Sequence, residues 1–435
     1  MRRSGAKNIR ISFSAGRLSH FGGVYLFHQF LQRLQVRTFL SRGLRYDQRN
    51  NRYSTTEILL ALIYPMILGL EKIEVSALLK MNGVFQYITG LPTFPDPQTL
   101  RRFLIRSPSD LLPLLWEVHE DLRKYFIARP STRSSYWLDF DSTANTLYGH
   151  QEGAVKGYNP GHPGKRSYHP LVVSEAHLKD CLGGFLRYGN AHTAERAVSL
   201  LQTALSLLPA ARDIRTRADS GFYEKEFVAE NDRKGVLFAI VARMTSPVKK
   251  RVASLRYHPV NAFFSTSEFS YQPQGWKKEY RFVVLRRKVE NDPEEKLTLF
   301  TLEKYAYSVI VTNLDLTPYG VFTFYKGRAG LERIIRILKN DFPFGSAPTG
   351  NFPANALYAE LSLLAYNLVI WFKRLCLPED WQSFTSPTLR HRLLMMPGEL
   401  VRTGNVPTLK FPKNNPNQDV FEFAMKKIKK LDPLV

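Results

Sequence analysis

The sequence predicts a mixed α/β protein, and three observations lead there. Between residues 131 and 250, strand-like runs come first and are followed by helix, strand, helix and strand, the order of a sheet covered by helices. Residues 251–305 switch to alternating stretches rich in β-branched and aromatic side chains, the pattern of antiparallel strands. Residues 1–130 instead repeat apolar side chains at helical spacing.

The elements follow in order. VYLFHQFLQRL and TTEILLALIYPMILGL carry the helical repeat, with Thr55 or Thr56 expected to cap the second. Asp96-Pro97 opens a further helix, QTLRRFLIR, which sets Arg101, Arg102 and Arg106 near one face. A small basic helical domain of this kind suits DNA-end binding, and a purely structural lobe is the alternative. YWLDFDST, HPLVVSEA and GGFLRYG are strand candidates, and HTAERAVSLLQTALSLL is a helix. IRTRADSGFY is a strand running into a turn, EKEFVAENDRK a helix and VLFAIVAR a buried strand. SEFSYQPQGWKKEYRFVVLRRK and KLTLFTLEKYAYSVIVTNL form an antiparallel insertion broken by the polar turn ENDPEEK, and its last strand returns to the core. A long helix is expected from about Pro318 to Asn340, then a buried one over ANALYAELSLLAYNLVIWFKRL. FAMKKIKKL ends the chain as a short basic amphipathic helix.

Charge narrows the function. Lys and Arg number 61 against 38 Asp and Glu, a formal charge of +23 over 435 residues. Such an excess draws a protein to polyanions and says more about partners than about fold. Basic residues run from Arg2 to Lys430, which predicts several basic faces rather than a detachable tail. Two cysteines, Cys181 and Cys376, exclude a disulfide framework and a four-cysteine zinc site, and fit a reducing compartment. No apolar run follows MRRSGAKNIR, so it is not a secretory signal. The most apolar stretch, Ile58 to Leu70, contains Pro65 and falls short of the roughly 20 residues of a bilayer span. A cytoplasmic protein without membrane contact is expected.

Three acids carry the chemistry. Asp141 ends the first core strand, Asp219 ends a later one before small Ser220 and Gly221, and Glu332 lies in the helix FTFYKGRAGLERIIRILKNDF. Singly, each is explained as a cap, a turn former or a solvated helix residue. Together they suit phosphodiester chemistry. Mg²⁺ binds through a few carboxylates plus phosphate oxygens, and two ions about 4 Å apart stabilise both the attacking and the leaving oxygen. Around Glu332, the offsets from Tyr325 to Arg328, Glu332 and Lys339 place all four on one face of a continuous helix. That face sets cations beside a ligand carboxylate, where they can hold scissile-strand phosphates. A charged outer stripe is the alternative, since Lys326, Arg333 and Arg336 are also near.

The order Tyr, two residues, Arg, three residues, Glu, six residues, Lys resembles the signature of the Tyr-Arg-Glu-Lys branch of the DDE insertion-sequence transposases, bacterial cut-and-paste enzymes. Tyr325, Arg328, Glu332 and Lys339 match it at every spacing. LDFDST, with Asp141 two residues before Thr143, and RADSGFY, with Asp219, are similar to the family's aspartate segments. EGAVKGY, SYHPLVV, LRYGNAH and ALYAELSLLAYNLVIWFK add to the likeness, which covers about residues 130–375. Over 1–130, STTEILLALIY and PDPQTLRRFL are only generically similar.

The resemblance implies a ribonuclease-H-like catalytic core from residues 131–250 and 306–375. A β insertion, 251–305, interrupts it between the second and third acids; the helical DNA-binding domain 1–130 precedes it and a helical tail, 376–435, follows. It implies Asp141, Asp219 and Glu332 as ligands of Mg²⁺, two ions, with Mn²⁺ as substitute. It implies cut-and-paste transposition: hydrolysis nicks the element end, and the freed 3′-hydroxyl attacks a target strand. Its partners would be double-stranded DNA, as terminal inverted repeats and as target, with a homodimer on paired ends at the bacterial nucleoid. Tyr325, Arg328 and Lys339 would then hold terminal phosphates. A tryptophan of the insertion can stack on a flipped base, and Trp276 is the candidate, with packing inside the insertion as the alternative. Within LDFDST, Asp139 points to the same side of the strand as Asp141 and stands as the alternative ligand or its supporting partner. A nuclease of the same core that cuts without joining, and a DNA-binding derivative without catalysis, are the competing functions. His150, His162, His169, His177 and His192 lack ligand spacing for zinc and are expected in turns and at the surface. GYNPGHPGK lacks the order of a phosphate loop, and paired-carboxylate glycoside hydrolysis fits the charge poorly.

Overall fold

A computed structural model describes residues 11–44, 52–106, 108–210, 213–288, 300–302 and 305–434. MRRSGAKNIR, ENDPEEK and most of KLTLFTLEK lie outside the described residues. The chain divides into two compact units, one of residues 1–106 and 371–435, the other of 107–370.

In the first unit the helix Thr55–Ile67 is buried almost all round. Its cap is Ser54 and not Thr55 or Thr56. The Ser54 hydroxyl accepts the Glu57 N–H, and the Glu57 carboxylate accepts the Ser54 N–H. Glu57, three residues on, makes this reciprocal arrangement possible, and both threonines turn inward instead. Helices Val24–Arg33, Pro97–Arg106 and Gln418–Lys429 accompany it. Gly398–Thr403 and Val406–Lys410 form an antiparallel hairpin, with Leu18–Ser19 paired along its edge.

The second unit holds a long helix, α1 (Pro108–Ile127), and then one large sheet. Its elements, in chain order, are β1 (Ser135–Ser142), β2 (Leu171–Glu175), β3 (Cys181–Phe185), α2 (Ala197–Leu207), β4 (Asp213–Ala218), α3 (Lys225–Arg233) and β5 (Leu237–Val241). There follow α4 (Ser246–Ser254), β6 (Phe264–Tyr271), β7 (Tyr280–Lys288), β8 (Tyr305–Thr312), α5 (Pro318–Lys326), α6 (Ala329–Asn340) and α7 (Phe352–Cys376), the last belonging to this unit as far as Ile370. The sheet runs β6-β7-β8-β5-β4-β1-β2-β3. β1, β4 and β5 are parallel, while β2 opposes β1 and β3 opposes β2. This is the ribonuclease-H-like arrangement: a three-strand meander, then two parallel strands joined through helices. β8 returns to the core by pairing antiparallel with β5, so the insertion extends the same sheet instead of forming its own.

Alternation along β1 decides which side is chemical. Tyr136, Leu138 and Phe140 sink into the main core with Leu200, Leu201 and Ala204 of α2 and Phe227 and Val228 of α3. Trp137, Asp139 and Asp141 point to the opposite face, where Trp137 meets Phe324 of α5 at 5.0 Å. The apolar face of α7 is buried, as expected, but it carries a polar knot. His119 of α1 faces the Glu360 carboxylate through Nδ1, and its Nε2 accepts the Asn367 amide N–H at 2.9 Å. Asn367 is itself fixed by the Cys181 backbone, donating to its carbonyl at 2.8 Å and accepting its N–H at 2.9 Å. Arg123 completes the knot, 3.2 Å from Glu360.

With one ring nitrogen donating and the other accepting, His119 is neutral, and burial pulls its pKa down to about 4. Below about pH 6.5 the unfolded histidine takes up a proton that the folded one refuses, so stability falls as pH drops from there towards 4. Thermal melts from pH 7 to pH 4 should show that loss in the native protein. A His119→Asn variant should be less stable at pH 7 and lose less on acidification.

Candidate active site

The site is assembled from strand ends. β1 and β4 run side by side with Asp139 opposite Arg217 and Phe140 opposite Ala218, so both strands deliver an acid at the next step, Asp141 and Asp219. Beneath them Arg217 and Asp139 form a fully buried bidentate pair, at 2.6 and 2.9 Å. Asp139 is therefore committed to Arg217, whereas Asp141 lies further along the strand and pairs with a different cation. Asp219 leaves the strand by capping a short turn, its Oδ1 accepting the Gly221 N–H at 2.9 Å. A Cβ at Gly221 would lie 2.4 Å from the Thr193 methyl, so only glycine fits this close approach.

The third acid arrives on a helix that differs from expectation. Instead of one helix from Pro318 to Asn340, the chain breaks between α5 and α6 at Gly327-Arg328. The Arg217 guanidinium donates to the Phe324 carbonyl at 2.8 Å and lies against Gly327, where a Cβ would come within 2.2 Å of it. Arg328 donates to the Tyr325 carbonyl, three residues back, so the turn is tightened rather than continued. The backbone stays right-handed helical through this tightened turn, and Tyr325, Arg328 and Glu332 still meet on one side. Arg328 pairs with Asp141 at 3.0 Å and with Glu332 at 2.7 Å, and its Nε donates to the Tyr325 hydroxyl at 3.2 Å. Asp219 is close enough to act on the same guanidinium and on Asp141. Lys339 reaches across from α6 to the end of β1, donating to the Ala144 carbonyl at 2.8 Å and to the Thr143 hydroxyl at 3.3 Å.

Burial pushes the Asp141 carboxyl up to about 6, and the negative charge of Asp219 adds to the push while Arg328 opposes it. Burial also raises the Tyr325 phenol and lowers the Lys339 ammonium. Glu332 remains more than half exposed. Among the described residues, no group of three or more His, Cys, Asp or Glu side chains is placed to hold a metal ion. The donors nevertheless fit one in kind. All are hard carboxylate oxygens, and the guanidinium that bridges Asp141 and Glu332 marks where positive charge is held between them.

A cleft of about 860 Å³ opens beside the acids, lined among others by Thr143, Tyr148, Tyr158, His169, Asp219 and Lys339. His169 was expected at the surface. It is buried instead, with Nε2 3.1 Å from the Ser142 hydroxyl and Nδ1 2.9 Å from the Ala191 carbonyl. Arg187, also buried, donates to the carbonyls of His169, His192, Thr193 and Glu195 and so fixes the loop that presses on Gly221. Neither role was read from the sequence, although SYHPLVV and LRYGNAH contain both residues. Trp276 is half-buried. It packs on Tyr223, four residues beyond Asp219, at 5.1 Å and on Tyr280 at 5.5 Å.

Carboxylates from two strand ends and a helix thus gather around one guanidinium beside the cleft. A family model described as transposase DDE domain group 1 matches residues 1–433, and the chain belongs to that family. It is a DNA transposase, a divalent-metal-dependent enzyme of DNA recombination. No curated protein matches the chain. Among solved structures, the piggyBac transposase synaptic complex with hairpin DNA is similar, at TM-score 0.48 and 10% identity over 86% of this chain and 79% of that one. Among the described residues, no helix is long and apolar enough to cross a membrane.

Removing the arginine beneath the acids should expose how much they depend on it. Arg217→Met leaves Asp139 buried and unpaired, which should cost about 3–5 kcal/mol in denaturant melts. Arg217→Met combined with Asp139→Leu should recover part of that loss without recovering activity.

Proposed function

We propose that Asp141, Asp219 and Glu332 hold the divalent metal, Mg²⁺ as two ions with Mn²⁺ as substitute, and that this centre cuts the ends of a mobile element and joins them to target DNA. The observation that carries the assignment is Arg328. One guanidinium contacts Asp141 and Glu332 and feels Asp219, although the three acids are far apart in sequence. When bound, the ions would stabilise the attacking and leaving oxygens of an in-line displacement.

The protein's own groups do the rest. The carboxylates of Asp141 and Asp219 are held rigid by strand ends and by the Arg217–Asp139 pair under them. Arg328 is available to exchange carboxylate for phosphate, since both are planar or tetrahedral oxyanions that suit its fork. Lys339 anchors the end of β1 and offers its ammonium to the cleft. Tyr325 keeps the Arg328 side chain oriented through its hydroxyl. Trp276 lies against the segment after Asp219, where a displaced base could meet it. Residues 1–130 serve as the helical DNA-binding domain, 131–250 and 306–375 as the catalytic core, 251–305 as the insertion and 376–435 as the helical tail. The enzyme works on double-stranded terminal inverted repeats and target DNA as a homodimer on paired ends, in the bacterial cytoplasm at the nucleoid.

Glu332→Gln keeps the side chain's shape and removes its charge, so it should bind DNA like the parent and fail to cut it in a plasmid cleavage assay. Metal-dependent cutting by Asp219→Ala would overturn the ligand assignment. Arg328→Ala should weaken DNA binding and reduce the slope of log affinity against log salt by about one, measured by fluorescence titration. An unchanged slope would remove Arg328 from the phosphates. With terminal repeats and a target plasmid together, joined products are expected, and cut ends alone would mean a nuclease.

A further inference from the structure

Between β1 and β2 the chain builds a miniature sheet that the proposed chemistry leaves unused. Asn145–Thr146 and Val155–Lys156 both pair with Arg166–Tyr168. Two large rings stand out from it. Tyr148 is 82% exposed and Tyr158 72% exposed, and both line the cleft that holds Asp219 and Lys339. That shared cleft sets these two apart from other exposed apolar side chains.

The platform beneath them is rigid. A Cβ at Gly157 would lie 1.9 Å from the Gly189 carbonyl oxygen, and one at Gly189 would lie 2.1 Å from that of Ser167, so these backbones touch with no room for side chains. Asn159, next to Tyr158, is buried and donates to the Thr146 hydroxyl at 2.9 Å. The Leu147 N–H, next to Tyr148, donates to the Arg166 carbonyl at 2.9 Å. Side chains mounted on a fixed backbone spend little entropy on binding. The surroundings are cationic: Lys156, Lys165 and Arg166 are exposed on the same small sheet, and Lys339 lines the cleft.

Exposed tyrosine faces among cations, beside a centre that cuts DNA, suit unpaired nucleotides. A ring stacks on any base, whereas a paired base already has both faces covered by its neighbours. We propose that Tyr148 and Tyr158 form a stacking platform for unpaired bases of the DNA end next to the scissile phosphate, with the lysines and Arg166 tracking the backbone. The inference rests on the active-site assignment above and adds the state of the DNA it takes: an end whose last pairs are open.

The test uses the full-length protein without divalent ion and two fluorescent probes, a blunt 20-base-pair duplex and the same duplex with four terminal T·T mismatches. The parent should bind the frayed probe more tightly than the blunt one. Tyr148→Ala with Tyr158→Ala should lose that preference, by about tenfold or more per stacked base, and leave blunt-duplex affinity unchanged. Tyr148→Phe with Tyr158→Phe should keep the preference, since the ring and not the hydroxyl stacks. A 2-aminopurine in the frayed end should be quenched by the parent and not by the alanine variant. No preference in the parent, an unchanged preference in the alanine variant, equal loss on both probes, or failure of the phenylalanine variant would each overturn the proposal. Asp219→Ala separates the two readings. If it still cuts, the metal assignment fails whatever the tyrosines do; if it does not cut and the frayed preference is absent, only the platform fails.

Discussion

The candidate active site depends on one buried ion pair. Arg217 and Asp139 face each other across two parallel strands, one step below Asp141 and Asp219. The same guanidinium reaches the Phe324 carbonyl and occupies the space beside Gly327. A single side chain thus couples both aspartate strands to the helix break that sets Arg328 and Glu332. Its desolvation is offset because every charged atom finds a partner, with Trp137 and Phe324 flanking the guanidinium at 5.2 and 5.0 Å.

A second tier of charge sits above the first. Arg328 is surrounded by Asp141, Asp219, Glu332 and the Tyr325 hydroxyl, and these oxygens hold it firmly protonated. The carboxylates gain in turn, because without that cation burial and mutual repulsion would make a cluster of three acids costly. Cations and acids are mutually required here, and the protein's overall +23 charge leaves ample positive surface for a polyanion.

Much of this was legible in the sequence. The strands carrying Asp141 and Asp219 announced themselves by aromatic and β-branched runs ending in small polar residues, and the Tyr-Arg-Glu-Lys spacing pointed to Glu332. The spacing assumed a continuous helix, and the chain instead tightens at Gly327-Arg328. Gly327 is a local sign of that interruption, but the Arg217 guanidinium that lies against it comes from more than a hundred residues earlier. The buried position of His169 was hidden for the same reason, since its partners Ser142 and Ala191 are distant in sequence. The miniature sheet around Tyr148 and Tyr158 has strands of two or three residues, too short for any periodicity to register. Ser54 was missed by one position, because its signature lies in Glu57 and not in the threonines beside it.

Parallel pairing of β1 with β4 carries one more consequence. Side chains on a strand alternate, so sliding β4 by a single residue would turn Arg217 into the apolar core and strand Asp139 without a counter-charge. The penalty for that mistake is far larger than for slipping two alkyl side chains. The register that satisfies the ion pair is therefore also the one that sets Asp141 and Asp219 level with each other.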